Sequence, residues 1–384
     1  MDIKYIGVDD PSLRLFESQY ETPAGMCYNS WVILDEKIAI TDTSDARTME
    51  QWKANLSEAL QDKKPDYLII HHLEPDHASG IEEVMNLYPE LIVICTARAK
   101  QMAPQYITNN EFIEKRFKVV AEGDTLSLGK HNLTFIMAPM IHWPEVMMTY
   151  DATEEVLFSA DAFGKFGTID ADKDDWACEA RRYYFNICGK YGSPTQTLLK
   201  KAANLKISKI YPLHGPVLEN EALAEAIRLY DIWSSYGVET EGVFIAHASI
   251  HGNTAQAAEQ LADILRQKGC PKVAISDLCR EDMAEAIEDA FRYGKIIVAA
   301  SSYDSDVFPP MHDFLHHLAL KSWQKKTVGI IENGSWAPTA ARTMKKMLEG
   351  MKDITIIDPV VTIRGKVKPS DNDALQLLAD EILK

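Results

Sequence analysis

Three histidines and two carboxylates are packed into the seven-residue segment His71-His72-Leu73-Glu74-Pro75-Asp76-His77. The segment follows an apolar run, Tyr67-Leu68-Ile69-Ile70, that predicts a buried strand, and a helical pattern begins at Gly80. A strand that ends in a ligand-rich loop and then turns into a helix is where α/β folds place their chemistry. Imidazoles and carboxylates are metal-binding groups, so the segment is a candidate metal site.

A solvated acidic loop is the simplest interpretation of any one of these side chains taken alone. The spacing argues against it, because alternate residues of an extended loop project the same way and can converge on one point. Three more ligand-type residues follow later predicted strands. Seven ligands are too many for one tetrahedral zinc and suit two metals that share a bridging carboxylate. The candidate ligands are His72, Glu74, Asp76, His77, His142, Asp161 and His214.

The arrangement H-x-E-x-D-H resembles the signature of the metallo-β-lactamase superfamily, which usually reads H-x-H-x-D-H. Glu74 stands in the place of the second histidine. Imidazole combined with several carboxylates suits iron as well as zinc, and an added negative charge stabilises a higher oxidation state. The substitution therefore indicates redox chemistry rather than hydrolysis.

Two groups of elements must position these residues and whatever supplies them with electrons. The first half of the chain contains two β-rich runs flanked by helical patterns, which predicts a layered sandwich with helices outside. A change of pattern at Tyr236–Gly242 marks a candidate linker. Beyond it five predicted strands alternate with five helices, the pattern of a doubly wound parallel sheet. The predicted strands begin at Val243, Val273, Ile296, Thr327 and Ile354.

The first strand of the second half leads into the segment Ser249-Ile250-His251-Gly252-Asn253-Thr254 and then into a helix. Backbone N–H groups at a helix start, together with hydroxyls, form an anion site that suits a phosphate monoester. The segment resembles the flavodoxin phosphate loop, usually T-x-T-G-N-T, with Ser249 and His251 in the threonine positions. An N-capped helix without a ligand would also fit this pattern.

Two further loops follow strands at the carboxyl edge, where this fold binds ligands. They contain Ser301-Ser302-Tyr303-Asp304 and Asn333-Gly334-Ser335-Trp336-Ala337. Tyr303 and Trp336 are placed to stack on or border an isoalloxazine ring, and Gly334 allows close backbone approach. Because the sequence has no G-x-G-x-x-G motif, FMN is expected rather than FAD or NAD.

With both halves considered, nearly the whole chain resembles the flavodiiron proteins. In that family H-x-E-x-D-H, a later His-Trp-Pro, a Ser-Ala-Asp-Ala-Phe-Gly and a Leu-His-Gly carry the diiron ligands, and all four occur here. The resemblance implies that one iron is held by His72, Glu74 and His142. It implies that the other is held by Asp76, His77 and His214, with Asp161 and an oxygen atom bridging the two.

The resemblance also implies the fold, a metallo-β-lactamase-like αββα sandwich in residues 1–238 and a flavodoxin-like FMN-binding domain in residues 242–384. Tyr191 resembles a tyrosine that lies near the irons in relatives, although an ordinary half-buried aromatic fits equally well. His71 lies outside the family pattern and is expected to support its neighbours. Some relatives bring a histidine to the site from an early loop, but here Thr22-Pro23-Ala24-Gly25 contains no histidine, so any proton donor that the family supplies from that loop does not carry over to this chain by resemblance.

The family reduces O2 to water, NO to N2O, or both, and the same function is expected here. FMN would relay electrons from an external donor such as rubredoxin or a reduced deazaflavin, within a head-to-tail homodimer or a dimer of dimers. Two other functions are compatible with the motifs: a binuclear zinc hydrolase with an attached flavodoxin, and a non-catalytic electron carrier or gas sensor. The ligands serve both gases alike, so the sequence leaves the choice between O2 and NO open.

Composition limits the remaining possibilities. A length of 384 residues predicts two domains. The net charge of −17 argues against binding to nucleic acid and to anionic membranes. A cytoplasmic location is expected, because there is neither a signal-peptide pattern nor an apolar stretch of about 18 residues. The six cysteines include no C-x-x-C pair, which argues against a zinc ribbon, a rubredoxin-type site or a disulfide framework.

Overall fold

The computed structural model describes residues 2–171 and 175–384, and its chain divides into two compact units. The first comprises Met1–Tyr184 and Ser193–Asp231, and the second comprises Phe185–Gly192 and Ile232–Lys384. The domain boundary at residues 238–242 stays a prediction. None of the described helices has the length and apolar character needed to cross a membrane.

Short strands and helices alternate through residue 234. The strands are β1 (Ile3–Tyr5), β2 (Val8–Asp10), β3 (Leu15–Phe16), β4 (Tyr20–Glu21), β5 (Met26–Tyr28), β6 (Trp31–Ile33), β7 (Ala39–Thr41), β8 (Tyr67–Ile69), β9 (Ile92–Thr96), β10 (Phe117–Val120), β11 (Thr125–Ser127), β12 (Asn132–Met137), β13 (Met147–Asp151), β14 (Val156–Phe158), β15 (Lys209–Tyr211) and β16 (Leu218–Glu219). The helices are α1 (Met49–Leu60), α2 (Pro75–Ala78), α3 (Ile81–Leu87), α4 (Ala97–Met102), α5 (Asn110–Arg116), α6 (Trp176–Tyr183), α7 (Gly192–Ala202) and α8 (Asn220–Ser234).

The described part of the first unit contains two six-stranded sheets. One has the order β1-β6-β7-β8-β9-β10 and is parallel from β7 onward. The other has the order β11-β12-β13-β14-β15-β16, and its strands are antiparallel except for the pair β14 and β15. Two short hairpin-like pairs, β2 with β5 and β3 with β4, complete the strand pairing.

The pleat of β8 shows how the layers are held together. Leu68 belongs to a buried cluster that includes Trp52 of α1, whereas the next residue, Ile69, packs with Phe135 and Phe158 of the other sheet. Consecutive strand residues point to opposite faces, so one strand contributes both to the helix–sheet core and to the sheet–sheet core. The predicted αββα sandwich is confirmed.

The second unit is built on a sheet of seven described strands. Its strands are β17 (Thr240–Ala248), β18 (Val273–Asp277), β19 (Tyr293–Tyr303), β20 (Asp306–Val307), β21 (Lys326–Asn333), β22 (Ile354–Ile356) and β23 (Val361–Ile363). Its helices are α9 (Asn253–Gln267), α10 (Met283–Arg292), α11 (Pro309–Leu320), α12 (Ala340–Glu349) and α13 (Asn372–Leu383). The main path, β18-β17-β19-β21-β22, is parallel, with its first two strands exchanged relative to the chain. This is the flavodoxin order, so the prediction of a doubly wound sheet is confirmed.

The third strand of this sheet is longer than the sequence pattern predicts. β19 continues through Tyr303, where a loop was expected after Ala300. The extension pairs with β20 in an antiparallel hairpin, with Ser302 opposite Val307. The prediction missed this extension because its residues are polar, and the prediction relied on apolar side chains. The pairing itself is made by backbone hydrogen bonds.

Candidate functional site

Four loops deliver the seven candidate ligands, and each loop follows the carboxyl end of a strand of the first unit. His72 follows β8, His142 follows β12, Asp161 follows β14 and His214 follows β15. The backbone is locally constrained beside two of them, because Met140 has a φ of 67° and Ala160 has a φ of 51°. Non-glycine residues in this left-handed region cost about 1–3 kcal/mol and concentrate at functional sites.

The segment His71–His77 is extended only in its first part. Glu74 has extended backbone angles, but Asp76 and His77 lie in the one-turn helix α2. Pro75 starts this turn because its fixed φ suits the first position of a helix. The prediction of alternate side chains along an extended loop is therefore wrong for Asp76. The turn sends His72 and Glu74 towards one group of ligands and Asp76 and His77 towards another.

The first group consists of His72, Glu74, His142 and Asp161. Glu74 Oε2 lies 3.1 Å from His72 Nε2 and 2.9 Å from His142 Nε2. Asp161 Oδ2 lies 3.3 Å from each of the same two nitrogens. Four ligand atoms therefore surround one point.

The second group consists of Asp76, His77 and His214. The Nε2 atoms of His77 and His214 lie 3.0 Å apart, and each is 3.3 Å from Asp76 Oδ2. The other oxygen of Asp161, Oδ1, lies 3.4 Å from His77 Nε2 and 3.7 Å from His214 Nε2. Asp161 thus places one carboxylate oxygen beside each group.

Buried charge sets the electrostatics of both groups. Burial lowers the pKa of His77 and His142, but neighbouring carboxylates, chiefly Asp76 and Asp161, outweigh it and raise both values to about 9. Burial raises the pKa of Asp161, but the surrounding histidines hold it well below its usual range. Asp161 therefore stays ionised and attracts positive charge, whether from protons or from metals.

The chemistry of the donor set fits two cations. Both oxygens of Asp76 and Oδ1 of Asp161 are buried and have no hydrogen-bond partner in the described residues. An unpaired buried carboxylate oxygen is costly, and a metal ion would satisfy it. Imidazole nitrogens and carboxylate oxygens are ligands that iron and zinc both accept.

Glu145 is a functional residue that sequence reasoning missed. Its Oε1 accepts hydrogen bonds from His72 Nδ1 at 2.8 Å and from the backbone N–H of Leu73 at 3.0 Å. These bonds fix the His72 ring and leave Nε2 to face the ligand group. The residue stands two positions after the Trp of His142-Trp143-Pro144-Glu145, so its place in that motif was the available signal.

His71 and His214 are held in a similar way. His71 Nδ1 bonds to Asp42, and its Nε2 lies 2.8 Å from Thr149 Oγ1. With both ring nitrogens engaged, His71 supports the loop and cannot also bind a metal. His214 Nδ1 donates to the carbonyl of Cys27 at 2.7 Å. No sequence signal could have identified Cys27, because the group that it contributes is a backbone carbonyl, which every residue has.

A cleft of about 260 Å³ opens beside the ligands Glu74 and Asp76. Glu17, at the tip of the β3–β4 hairpin, lines it together with Arg47. Arg47 Nη2 donates to Tyr28 Oη at 2.8 Å, and the Tyr28 ring centre lies 5.9 Å from that of His214. This cleft is a candidate entry path for a small molecule.

A larger cleft, of about 530 Å³, lies at the carboxyl edge of the second unit's sheet. Its size is within the range of small-molecule and cofactor sites. Three predicted loops line it, with additional contributions from Ser305, Thr339 and Gly365 that the sequence did not indicate. The predicted residues that line it are Ser249, Ile250, His251, Asn253, Thr254, Ser301, Ser302, Tyr303, Asp304, Asn333, Gly334, Ser335, Trp336 and Ala337.

The polar groups at one end of this cleft fit a phosphate. Ser249 Oγ is buried without a hydrogen-bond partner in the described residues, and Thr254 Oγ1 lies 2.8 Å from Ser301 Oγ. Gly252 precedes α9 with a φ of 84°, which turns the loop into the helix N-terminus. A Cβ on Gly334 would approach Pro338 Cα to 2.9 Å, so only glycine fits that turn.

Comparison with known proteins assigns the family. A model of the ODP family beta lactamase matches residues 26–215. A nitric oxide reductase of Moorella thermoacetica is 30% identical over 383 residues, which cover 96% of this chain and 93% of the relative. The chain belongs to the flavodiiron protein family. The resemblance stated from the motifs is therefore confirmed, and a nitric oxide or oxygen reductase activity is that of the family.

Other flavodiiron relatives agree over the whole chain. An anaerobic nitric oxide reductase flavorubredoxin of Salmonella paratyphi B is 27% identical and covers 98% of this chain and 79% of its own length. The flavodiiron protein of Giardia intestinalis superposes with a TM-score of 0.91 at 22% identity, covering 99% of this chain and 94% of that one. Rubredoxin oxygen:oxidoreductase of Desulfovibrio gigas has the same TM-score at 24% identity, with 99% and 96% covered. These structural matches show the shared fold.

Two tyrosines differ in their relation to the ligands. The ring of Tyr183 lies against His214, with centres 5.6 Å apart, and the sequence analysis did not single it out. Tyr191 lies in a single helical turn, Gly189–Tyr191, which belongs to the second unit, and Lys190 Nζ lies 6.0 Å from its ring centre. A role for Tyr191 near the irons stays a prediction.

Proposed function

We propose that this flavodiiron protein reduces O2 to water, NO to N2O, or both, at a non-haem diiron site with electrons relayed by FMN. The observation that carries the proposal is the position of Asp161. Its two carboxylate oxygens lie 3.3 to 3.7 Å from four histidine nitrogens that belong to two separate ligand groups. A carboxylate so placed can bridge two metals.

The remaining ligands would belong to the two irons in the same way as they belong to the two ligand groups. His72, Glu74 and His142 would hold one iron, and Asp76, His77 and His214 the other. When bound, two irons and FMN store up to four electrons, which matches the four needed to reduce O2 and exceeds the two needed to couple two NO molecules. Glu145 orients His72, and the Cys27 carbonyl orients His214, so both rings keep Nε2 towards the metals.

The cleft of the second unit would hold FMN. Ser249, Thr254 and the N–H groups that begin α9 would bind the phosphate, because a helix N-terminus favours a negative charge. Tyr303 and Trp336 would border the isoalloxazine ring. Trp336 is 91% exposed, which leaves room for a flavin edge or another protein surface beside it.

We further propose a head-to-tail homodimer, or a dimer of dimers, in which the flavin cleft of one subunit would face the iron ligands of its partner. The test mixes two defective variants, Asp161→Asn for the irons and Ser249→Asp for the flavin phosphate. Only a head-to-tail arrangement pairs the intact FMN of one subunit with the intact iron site of the other. Co-refolded or co-expressed subunits should then regain part of the turnover, while continued inactivity with dimers present would contradict the proposal.

Rubredoxin is proposed as the electron donor, since similar proteins are named flavorubredoxin and rubredoxin oxygen:oxidoreductase, and a reduced deazaflavin is the alternative donor. A cytoplasmic location stays a prediction. The deciding experiment measures O2 and NO consumption in parallel by the iron- and FMN-loaded protein with each donor. Zinc-substituted protein is the matched control and should not turn over either gas.

Two results would refute the proposed reaction. One is purified protein that contains zinc without iron and hydrolyses esters or lactams, as expected of a binuclear hydrolase. The other is iron- and FMN-loaded protein that is oxidised by gas once but never turns over with donor in excess, as expected of a carrier or sensor.

A further inference from the structure

A third group of ligand-type side chains, the cluster of Asp2, His131 and Glu154, lies in the first unit. His131 precedes β12 and Glu154 precedes β14, whereas the ligands His142 and Asp161 follow those strands. The cluster is therefore at the opposite end of the same sheet from the proposed diiron site. Neither the family pattern nor the proposed reaction uses it.

The geometry of the cluster suits a cation. One ligand atom from each residue lies within 4.8 Å of the others. His131 is fully buried, and its Nδ1 donates to the buried Asp151 at 2.6 Å. A carboxylate that accepts from one ring nitrogen fixes the tautomer and leaves the other nitrogen as a lone-pair donor, as in many metal sites.

The free nitrogen of His131 is the independent sign of a missing ligand. Nε2 is buried and has no hydrogen-bond partner in the described residues. It lies 3.7 Å from Asp2 Oδ2, which is too long for a hydrogen bond. A cation bound between the two atoms would give Nε2 a partner.

Lys130 shows that this position accepts positive charge. Its Nζ lies 2.8 Å from Asp2 Oδ2 and 3.5 Å from Glu154 Oε1. The hydrogen bond and charge of Lys130 lower the pKa of Asp2, so the carboxylate is ionised and ready to bind. The Lys130 side chain is 58% exposed and can turn into solvent when another cation arrives.

We propose that Asp2, His131 and Glu154 form a binding site for a divalent transition-metal cation such as Zn²⁺, with Lys130 displaced. One imidazole, two carboxylates and a water satisfy four-coordinate zinc. The ion would connect the residue before β1 to the turns that precede β12 and β14, and so link one sheet to the other.

The test uses full-length protein already loaded with iron and FMN. Equilibrium dialysis against buffered Zn²⁺, followed by elemental analysis of zinc and iron in the same sample, separates new binding from iron replacement. The wild-type chain should bind one zinc beyond its irons. Glu154→Gln, at an exposed position where the change should leave folding intact, should weaken that binding at least tenfold, and His131→Gln should do the same. His316→Gln, an exposed histidine of α11, is the matched control and should leave the zinc isotherm unchanged.

Lys130→Met provides a second, opposite readout. Because the competing ammonium is removed, zinc should bind about tenfold tighter than to the wild type, and X-ray absorption at the zinc edge should show one imidazole with oxygen ligands. The proposal is overturned if wild type takes up no more zinc than Glu154→Gln, whatever Lys130→Met does. It is equally overturned if the absorption spectrum shows two or more imidazoles, since the zinc would then lie at the iron ligands.

Discussion

The proposed iron site and the proposed flavin cleft are built in opposite ways. The iron ligands come from four loops between residues 72 and 214, and their rings are fixed by buried groups such as Glu145 and the Cys27 carbonyl. The flavin cleft is formed mainly by three short segments, with Gly365 in addition, and its rim exposes Trp336 and Tyr303. A metal site requires charged side chains that are held in fixed positions. Electron transfer into a flavin requires an accessible edge of the ring. A substitution at the iron site should therefore disturb the whole ligand set, whereas a substitution in the flavin cleft should affect FMN binding alone.

The largest expected effect is at the shared carboxylate. Asp161→Asn removes a negative charge that lies beside both ligand groups, so the protein should lose bound iron and its turnover should fall about 100-fold or more. FMN content should stay at the wild-type level. Iron and flavin analysis with a gas-consumption assay measures this, and Asp62→Asn, at an exposed position after α1, is the control. Retention of two irons with normal turnover would contradict a bridging role.

A smaller effect is expected one step away from the metals. Glu145→Gln removes the charge that orients His72, and iron affinity should fall about 10- to 100-fold, as is typical for a residue that supports a metal ligand. Competition with a chelator measures the affinity. Glu111→Gln, an exposed glutamate, should match wild type. Unchanged iron affinity would mean that the His72 ring is held by packing alone.

The matching change in the flavin cleft should be confined to FMN. Ser249→Ala removes the buried hydroxyl that faces the proposed phosphate site, and a hydrogen bond to a charged group contributes about 1.5–3 kcal/mol. FMN affinity should fall about 10- to 100-fold while iron content does not change. Fluorescence titration of the flavin-free protein measures this, with Ser370→Ala as control. Loss of iron in the Ser249 variant would break the contrast between the two sites.

The last effect is on folding stability and concerns an unusual buried lysine in the flavin unit. Burial lowers the pKa of Lys326 to about 7, and its ammonium donates to the Phe291 carbonyl at 2.7 Å. Between pH 7 and about 10 the unfolded chain holds a proton that the folded chain lacks. Stability should therefore rise with pH in this window by at most about 1.4 kcal/mol per pH unit.

Lys326→Met should remove that rise, because the methionine cannot titrate. Denaturant unfolding followed by flavin release at several pH values gives the difference between variant and wild type. Lys346→Met, at an exposed helical position, is the control and should keep the wild-type slope. Equal slopes in wild type and Lys326→Met would show that Lys326 stays charged when folded.

Local spacing and alternation determined a large part of this protein. H-x-E-x-D-H at residues 72–77 and the S-x-x-G-N-T loop each lie within a few residues, where chain geometry alone restricts what the side chains can do, and His142, Asp161 and His214 each follow a predicted strand. The regular succession of apolar strands and amphipathic helices after residue 242 likewise predicted the doubly wound sheet. These features can be predicted from a single sequence because each depends on residues that are neighbours along the chain.

Only the tertiary structure decided how these pieces meet. It divided the ligands into two groups on either side of Asp161, ended the extended loop at Pro75, and brought Glu145, Tyr183 and the Cys27 carbonyl beside the histidines. It also placed Asp2 beside His131, which are 129 residues apart. Such contacts join residues far apart in the chain, and packing of the two sheets sets their distances. These contacts therefore cannot be predicted from the spacing of residues in the sequence.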